Sequence, residues 1–204
     1  KSYIERLSHG ENLEVVRKEF VENFENVESS EIAQVEQELI MSGVPVDDVQ
    51  RLCDVHSALF HGMTVEEQVG EDELGSKEVT VQSLRRISGH PLQVFMDENS
   101  ILDFKLKDSQ KLSQRDITDE LLEKLRVLRL NLKDHYTRKG DLIYPLLSRT
   151  YDYSGPSDVM WGVDGEIRDD LASIVGLGKK HPDFKEVLDK ALTRAEDMIY
   201  KENN

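Results

Sequence analysis

A single cysteine, Cys53, stands in 204 residues, so no internal disulfide can form and the fold must rest on packing. No apolar run approaches the ~20 residues needed to cross a bilayer, and none has the shape of a signal peptide. A reducing cytoplasm is therefore the expected compartment. Basic residues are scarce too: 26 Lys plus Arg face 41 Asp plus Glu, for a formal net charge of -15. With no Lys/Arg cluster long enough to track a phosphate backbone, neither nucleic acid nor an anionic membrane surface is expected as a partner. Strict alternation over a strand length is nearly absent, Val79-Thr80-Val81 being the one β-leaning run. No Gly-rich phosphate loop, nucleophile elbow or Ser/His/Asp order is present. Gly176-Leu177-Gly178-Lys179-Lys180 follows a helical pattern rather than a strand and lacks phosphate-loop spacing. No enzymatic activity is expected.

What the chain does contain is helical periodicity nearly everywhere, with apolar residues recurring at spacings of three and four. A length of 204 residues allows one large domain or two small ones, either able to bury a core without disulfides or structural metal. The N-terminal third reads as short amphipathic helices over about 13–24, 30–41 and 46–60, the last following the Gly43-Val44-Pro45 break. The stretch 70–77 is acidic, contains Gly and has few large apolar groups, which fits a linker. Four longer patterns follow, about 81–109, 118–148, 157–175 and 182 to the end. Joined by short or polar connections, they predict an antiparallel four-helix bundle. The expected organisation is thus all-α: a small helical domain over 1–69, a linker over 70–80 and a bundle over 81–204. The chain begins at Lys1 and stops at Asn204 inside a helical pattern with no Gly or Pro stop signal, and reads as a segment of a longer protein with its bundle truncated at the C-terminal end.

Polar side chains interrupt the apolar stripes of all four bundle helices. On the second helix the inward stepping runs Leu121, Leu125, Leu128, Leu132, His135, Lys139, Leu142; on the third it runs Met160, Asp164, Ile167, Leu171, Ile174. On the fourth, Phe184, Leu188, Ala191, Ala195 and Met198 lead to Glu202. On the first, Val94, Phe95, Ile101 and Leu102 define the buried face, with Glu98 between those pairs and His90 two turns earlier. A buried charge is strongly unfavourable unless paired or bound to a metal. Two readings stand side by side. Either His90, His135, Asp164 and Glu202, with Glu98, converge on a cation, or these groups pair with Lys139 and one another as a buried polar network. Elsewhere, Cys53 and His56 have a zinc-compatible spacing, with His61 following, but two further ligands are missing, and a buried cysteine with a packing histidine is the expected reading. His9 and His181 sit at helix breaks and read as surface residues. Met160 and Trp161 could line a ligand cavity, although residues at this spacing more often belong to a core.

Several stretches resemble the hemerythrin-like HHE cation-binding family: Gly89-His90-Pro91, the run from His135 to Pro145, the run from Gly155 to Arg168, and Met198-Ile199-Tyr200-Lys201-Glu202-Asn203. The run from Val44 to Phe60 is similar to the signature of a helical domain of unknown function that precedes the bundle in one branch of that family. The resemblance implies a bundle that binds a di-iron centre through histidines and carboxylates, and a regulatory or sensory role, often with a PAS sensor domain after the bundle. His90 and His135 match the family's histidines on the first and second helices. The ligand carboxylate implied one turn after His135 is replaced by Lys139 and Gly140, with Asp141 the nearest acid; Asp164 and Met198 stand where histidines are usual, Glu202 keeps an acid, and Asn203 lacks the second. Two expectations stand for the cofactor: iron held through this degenerate set, or a metal-free helical scaffold that binds protein. The expected partner is a protein or an attached sensor domain.

Overall fold

A computed structural model of the chain describes residues 29–50 and 76–203, with a few positions between 6 and 19. The described residues contain helices and no strand. In chain order the elements are α1 (Ser29–Met41), α2 (Ser76–Arg85), α3 (Pro91–Ser113), α4 (Asp119–Arg138), a π turn (Lys139–Ile143), α5 (Tyr144–Tyr151), α6 (Gly155–Leu177), a 3-10 turn (Gly178–Lys180) and α7 (Phe184–Asn203). Residues 46–50 are helical as well. Most of the expected helix over 13–24, of which 15, 16, 18 and 19 are described and helical, residues 51–60 of the helix expected over 46–60, most of the linker, and Cys53, His56, His61 and His9 lie outside the described residues.

Helices α3, α4, α6 and α7 pack in a ring, each against the next, and α7 closes back on α3. Their inward stripes supply one continuous core, including Leu106, Leu125, Leu132, Ile167, Leu171 and Leu188, none of which reaches solvent. Each fully buried Leu or Ile contributes roughly 1.5–3 kcal/mol relative to an exposed one. The helix starts are specified locally. Thr118 caps α4, its hydroxyl accepting the Leu121 N–H at 3.1 Å, with Asp119 and Glu120 placed favourably in the first turn.

The β-leaning run Val79-Thr80-Val81 lies inside α2, which already begins at Ser76, since three such residues do not override the helical pattern around them. Three expectations are corrected at the level of elements. The first bundle helix expected over 81–109 is two helices. Gly89 turns at φ 78, His90 caps α3 and Pro91 occupies its first turn, where a missing N–H costs nothing. The second helix changes pitch. Pro145 cannot donate to the carbonyl four residues back, and its ring would clash there, so the chain widens into the π turn at Lys139–Ile143. That turn adds one residue of phase. The inward position after Lys139 is therefore Tyr144, which is buried, while Leu142 is 61 % exposed. On α3 the buried face runs through Leu102 and Leu106, and Ile101, expected inside, is 56 % exposed.

The N-terminal segment docks on the outer face of α6. Leu39 and Val49 enclose Val159, all three buried, and the close approach depends on glycine. Gly155 donates its N–H to the Gln37 side chain at 2.6 Å, and Gln50 donates to Glu166 at 2.6 Å. Helix α6 therefore has two covered faces, one in the bundle core and one under α1.

Candidate functional site

The polar groups of the bundle interior meet at the end where α3 begins, α4 passes into the π turn and α7 ends. His135 is the hub on α4. Its Nδ1 lies 2.8 Å from Glu98 Oε2 on α3, and its Nε2 lies 2.8 Å from Glu202 Oε2 on α7. A neutral imidazole can donate from one nitrogen only, whereas the imidazolium donates from both, so this geometry suits the charged ring. Burial opposes the charge on His135, but Glu202 and Glu98 outweigh it and raise the ring above its ordinary range. Phe95 packs edge-on against the ring, with centroids 5.4 Å apart.

One turn later Lys139, only 4 % exposed, extends its ammonium between two acids. Nζ donates to Asp164 Oδ1 on α6 at 3.0 Å and to Glu202 Oε1 on α7. The same nitrogen sits 4.7 Å from the Tyr136 ring centroid and 5.7 Å from that of Tyr144, within reach of cation–π attraction. Tyr144 completes the shell by donating its hydroxyl to Asp164 Oδ2 at 3.0 Å. On the solvent side Arg138 donates to Glu98 Oε1 at 2.5 Å. The chain of bonds runs from Arg138 through Glu98, His135, Glu202, Lys139 and Asp164 to Tyr144, and spans all four helices.

Burial pushes the Asp164 carboxyl up to about 6, against the pull of the neighbouring Lys139. Burial would also raise Glu202, but Lys139 and His135 outweigh it and hold that carboxylate at about 2. Burial and the adjacent carboxylates push both the Tyr144 and the Tyr136 phenols far above their ordinary range. With His135 charged, three cations (His135, Arg138, Lys139) face three carboxylates (Glu98, Glu202, Asp164). The buried charges are compensated by the chain itself, as burial demands.

Of the five residues read from the sequence as a site, Glu98, His135, Asp164 and Glu202 are thus brought into one network. His90 has a different occupation: its Nδ1 accepts the Leu92 N–H at 3.2 Å and caps α3. Asp141 is exposed, and Asn203 accepts a bond from the buried Asn99 at 3.0 Å rather than joining the cluster. Met160 borders a cavity, whereas Trp161 is 48 % exposed and lies against Gly140. His181, read as a surface residue, accepts the Asp183 N–H at the start of α7. The apolar stripes do not point to Tyr144 or Arg138. Pro145, in the first turn of α5, is the signal for Tyr144, because a proline there shifts the phase of what precedes it. Arg138 carries no signal, since an arginine on a solvent-facing position is unremarkable until its partner is known.

A cation cage does not fit these residues as arranged. The ammonium already occupies the space between Asp164 and Glu202, and both nitrogens of His135 face carboxylates, leaving no lone pair to coordinate. Among the described residues no group of three or more His, Cys, Asp or Glu side chains is disposed to hold a metal ion.

Fold and site together define an antiparallel four-helix bundle with an ionic centre built from every helix. The model of the hemerythrin HHE cation binding domain matches residues 90–204, more than half of the chain, and the chain belongs to that family. Residues 1–66 match the model of a family of unknown function (DUF438), giving the expected order of a helical domain followed by the bundle. No curated protein and no solved structure matches the chain. Among the described residues no helix is long and apolar enough to cross a membrane.

Proposed function

We propose that this chain is a regulatory or sensory module, and not an enzyme, whose cation-binding bundle has replaced its metal with an internal cation, the ammonium of Lys139. The observation that supports it most directly is Lys139 itself, buried and bonded to Asp164 and Glu202. A family position for a carboxylate ligand now holds a positive charge, and the neighbouring acids pair with it. A site balanced in this way holds the end of α4, the middle of α6 and the end of α7 together without a cofactor. Helix α6 carries Asp164 inward and Val159 and Glu166 toward the N-terminal segment, so one rigid element connects the ionic centre to the preceding domain. A cytoplasmic setting, with a protein partner or attached sensor domain reading the outcome, accords with the lone cysteine and the acidic composition.

The second reading, in which the bundle binds iron or another cation weakly, draws on the family description and on the surviving donors His135, Asp164 and Glu202. Metal analysis of protein purified without chelator, together with Lys139→Glu, separates the two. The wild type is expected to carry no stoichiometric metal. Lys139→Glu restores an acid beside His135, so it is expected to bind divalent iron or manganese more tightly while losing metal-free stability through carboxylate repulsion. Stoichiometric iron in the wild type overturns the internal-cation reading.

A further inference from the structure

Beside the ionic centre lies a cavity of about 360 Å³, within the size range of small-molecule sites. Leu92 and Phe95 on α3, Ile143 and Leu147 around the π turn, and Met160 on α6 form its apolar walls. Its charged lining comes from Lys139 and Glu202. No part of the network described above requires this space.

We propose that the cavity binds a neutral, largely apolar small molecule carrying one acceptor oxygen, such as a ketone, aldehyde or ester carbonyl, which accepts a hydrogen bond from Lys139. Three features of the site select that chemistry. First, an ammonium has three donors, and Lys139 uses two, on Asp164 and Glu202. The third has no hydrogen-bond acceptor among the described residues, its surroundings being the faces of Tyr136 and Tyr144, and Lys139 is a buried side chain that lines the cavity. Second, the ionic centre is already balanced, three cations against three carboxylates. An anionic ligand would meet Glu202, and a cationic one would compete with Lys139, so a neutral acceptor is the partner that adds a bond without adding a charge. Third, the rest of the lining is aliphatic or aromatic and stabilises an apolar body by burial. The inference rests on the internal-cation reading, since a metal-loaded centre would displace the donor it uses. It adds to that reading what the module would sense: ligand occupancy, felt at the junction of α3, the π turn, α6 and α7.

Three matched probes test it on the full chain: acetophenone, ethylbenzene and benzoate, followed through the methyl resonance of Met160 and by calorimetry, with iron content measured on the same sample. Acetophenone is expected to shift Met160 saturably and to bind about tenfold tighter than ethylbenzene, the scale of about 1.4 kcal/mol for one charge-assisted hydrogen bond. Benzoate is expected to bind more weakly than acetophenone. Leu147→Trp, and independently Ile143→Phe, fill the cavity and are expected to abolish the shift with the unfolding midpoint retained in at least one. Equal affinity for acetophenone and ethylbenzene, preference for benzoate, absence of a saturable shift, or binding that survives both filling variants overturns the inference. If any of these is found in iron-free protein, the cavity assignment alone fails; stoichiometric iron removes the internal-cation reading and this inference with it.

Discussion

At the scale of single residues, the behaviour of the ionic centre turns on His135. Its ring is buried, at 1 % exposure, and bonded through both nitrogens to carboxylates, so the charged form is the one the fold stabilises. Burial acts against that charge, Glu202 and Glu98 act for it, and the folded ring lies above the ordinary 6.5. A base whose folded value is raised contributes stability that is fully present below its unfolded value and is lost as pH rises through the folded value. Unfolding measured across the neutral to mildly alkaline range is therefore expected to show falling stability, and His135→Gln is expected to flatten that slope. A slope unchanged by the substitution would place the titrating group elsewhere. Lys139, Asp164 and Glu202 were readable in the sequence as inward positions because α-helical stepping carries straight through them. Tyr144 was not, because the residue that displaces it inward is a proline acting on backbone pitch, while a stripe extrapolated at 3.6 residues per turn points to Leu142 instead.

At the scale of elements, glycine and proline decide what hydrophobic periodicity leaves open. The order and approximate extents of α4, α6 and α7 follow from their apolar stripes, and their ends from short polar connections. The break before α3 does not show as a loss of periodicity, since residues on both sides continue the pattern; it arises from Gly89, His90 and Pro91 acting as turn, cap and first helical residue. At the start of α6, Gly155 allows α1 to approach closely. A Cβ there would stand 2.6 Å from the Gln37 side-chain oxygen and 2.9 Å from its Cα. The backbone atom cannot swing aside, so Gly155→Ala is expected to cost about 1–3 kcal/mol of docking. Limited proteolysis would read this as faster cleavage around residues 41–46 with α4 and α6 still protected. Unchanged cleavage would mean that the N-terminal segment does not need this contact.

At the scale of the whole molecule, α6 is shared between two cores. Val159, with no exposed surface, packs with Leu39 and Val49, while Ile167, Leu171 and Ile174 on the opposite side belong to the bundle. Glu166 joins the two: it accepts a bond from Gln50 in the N-terminal segment and is also paired with Arg194 on α7. Val159→Ser places a hydroxyl in the smaller core and is expected to cost about 1–3 kcal/mol there. Hydrogen exchange should then accelerate in α1 and leave the central amides of α4 and α7 unaffected. Acceleration in both would show that the two cores unfold as one cooperative unit.

The amino-acid sequence by itself determined that this protein is helical, that four long amphipathic helices follow shorter ones, and that each of those four turns an ionisable group inward. These are properties of local spacing, and spacing survives any arrangement of the helices in space. It could not determine which of those groups meet, because His90 and Glu98 look alike on a stripe until the end of the helix is located. Only the tertiary structure assigned His90 to a backbone cap, paired His135 with Glu98 and Glu202, and set the Lys139 ammonium between Asp164 and Glu202. The physical reason is that ion pairing acts over a few ångströms across helices, at distances fixed by packing and by one π turn rather than by position along the chain.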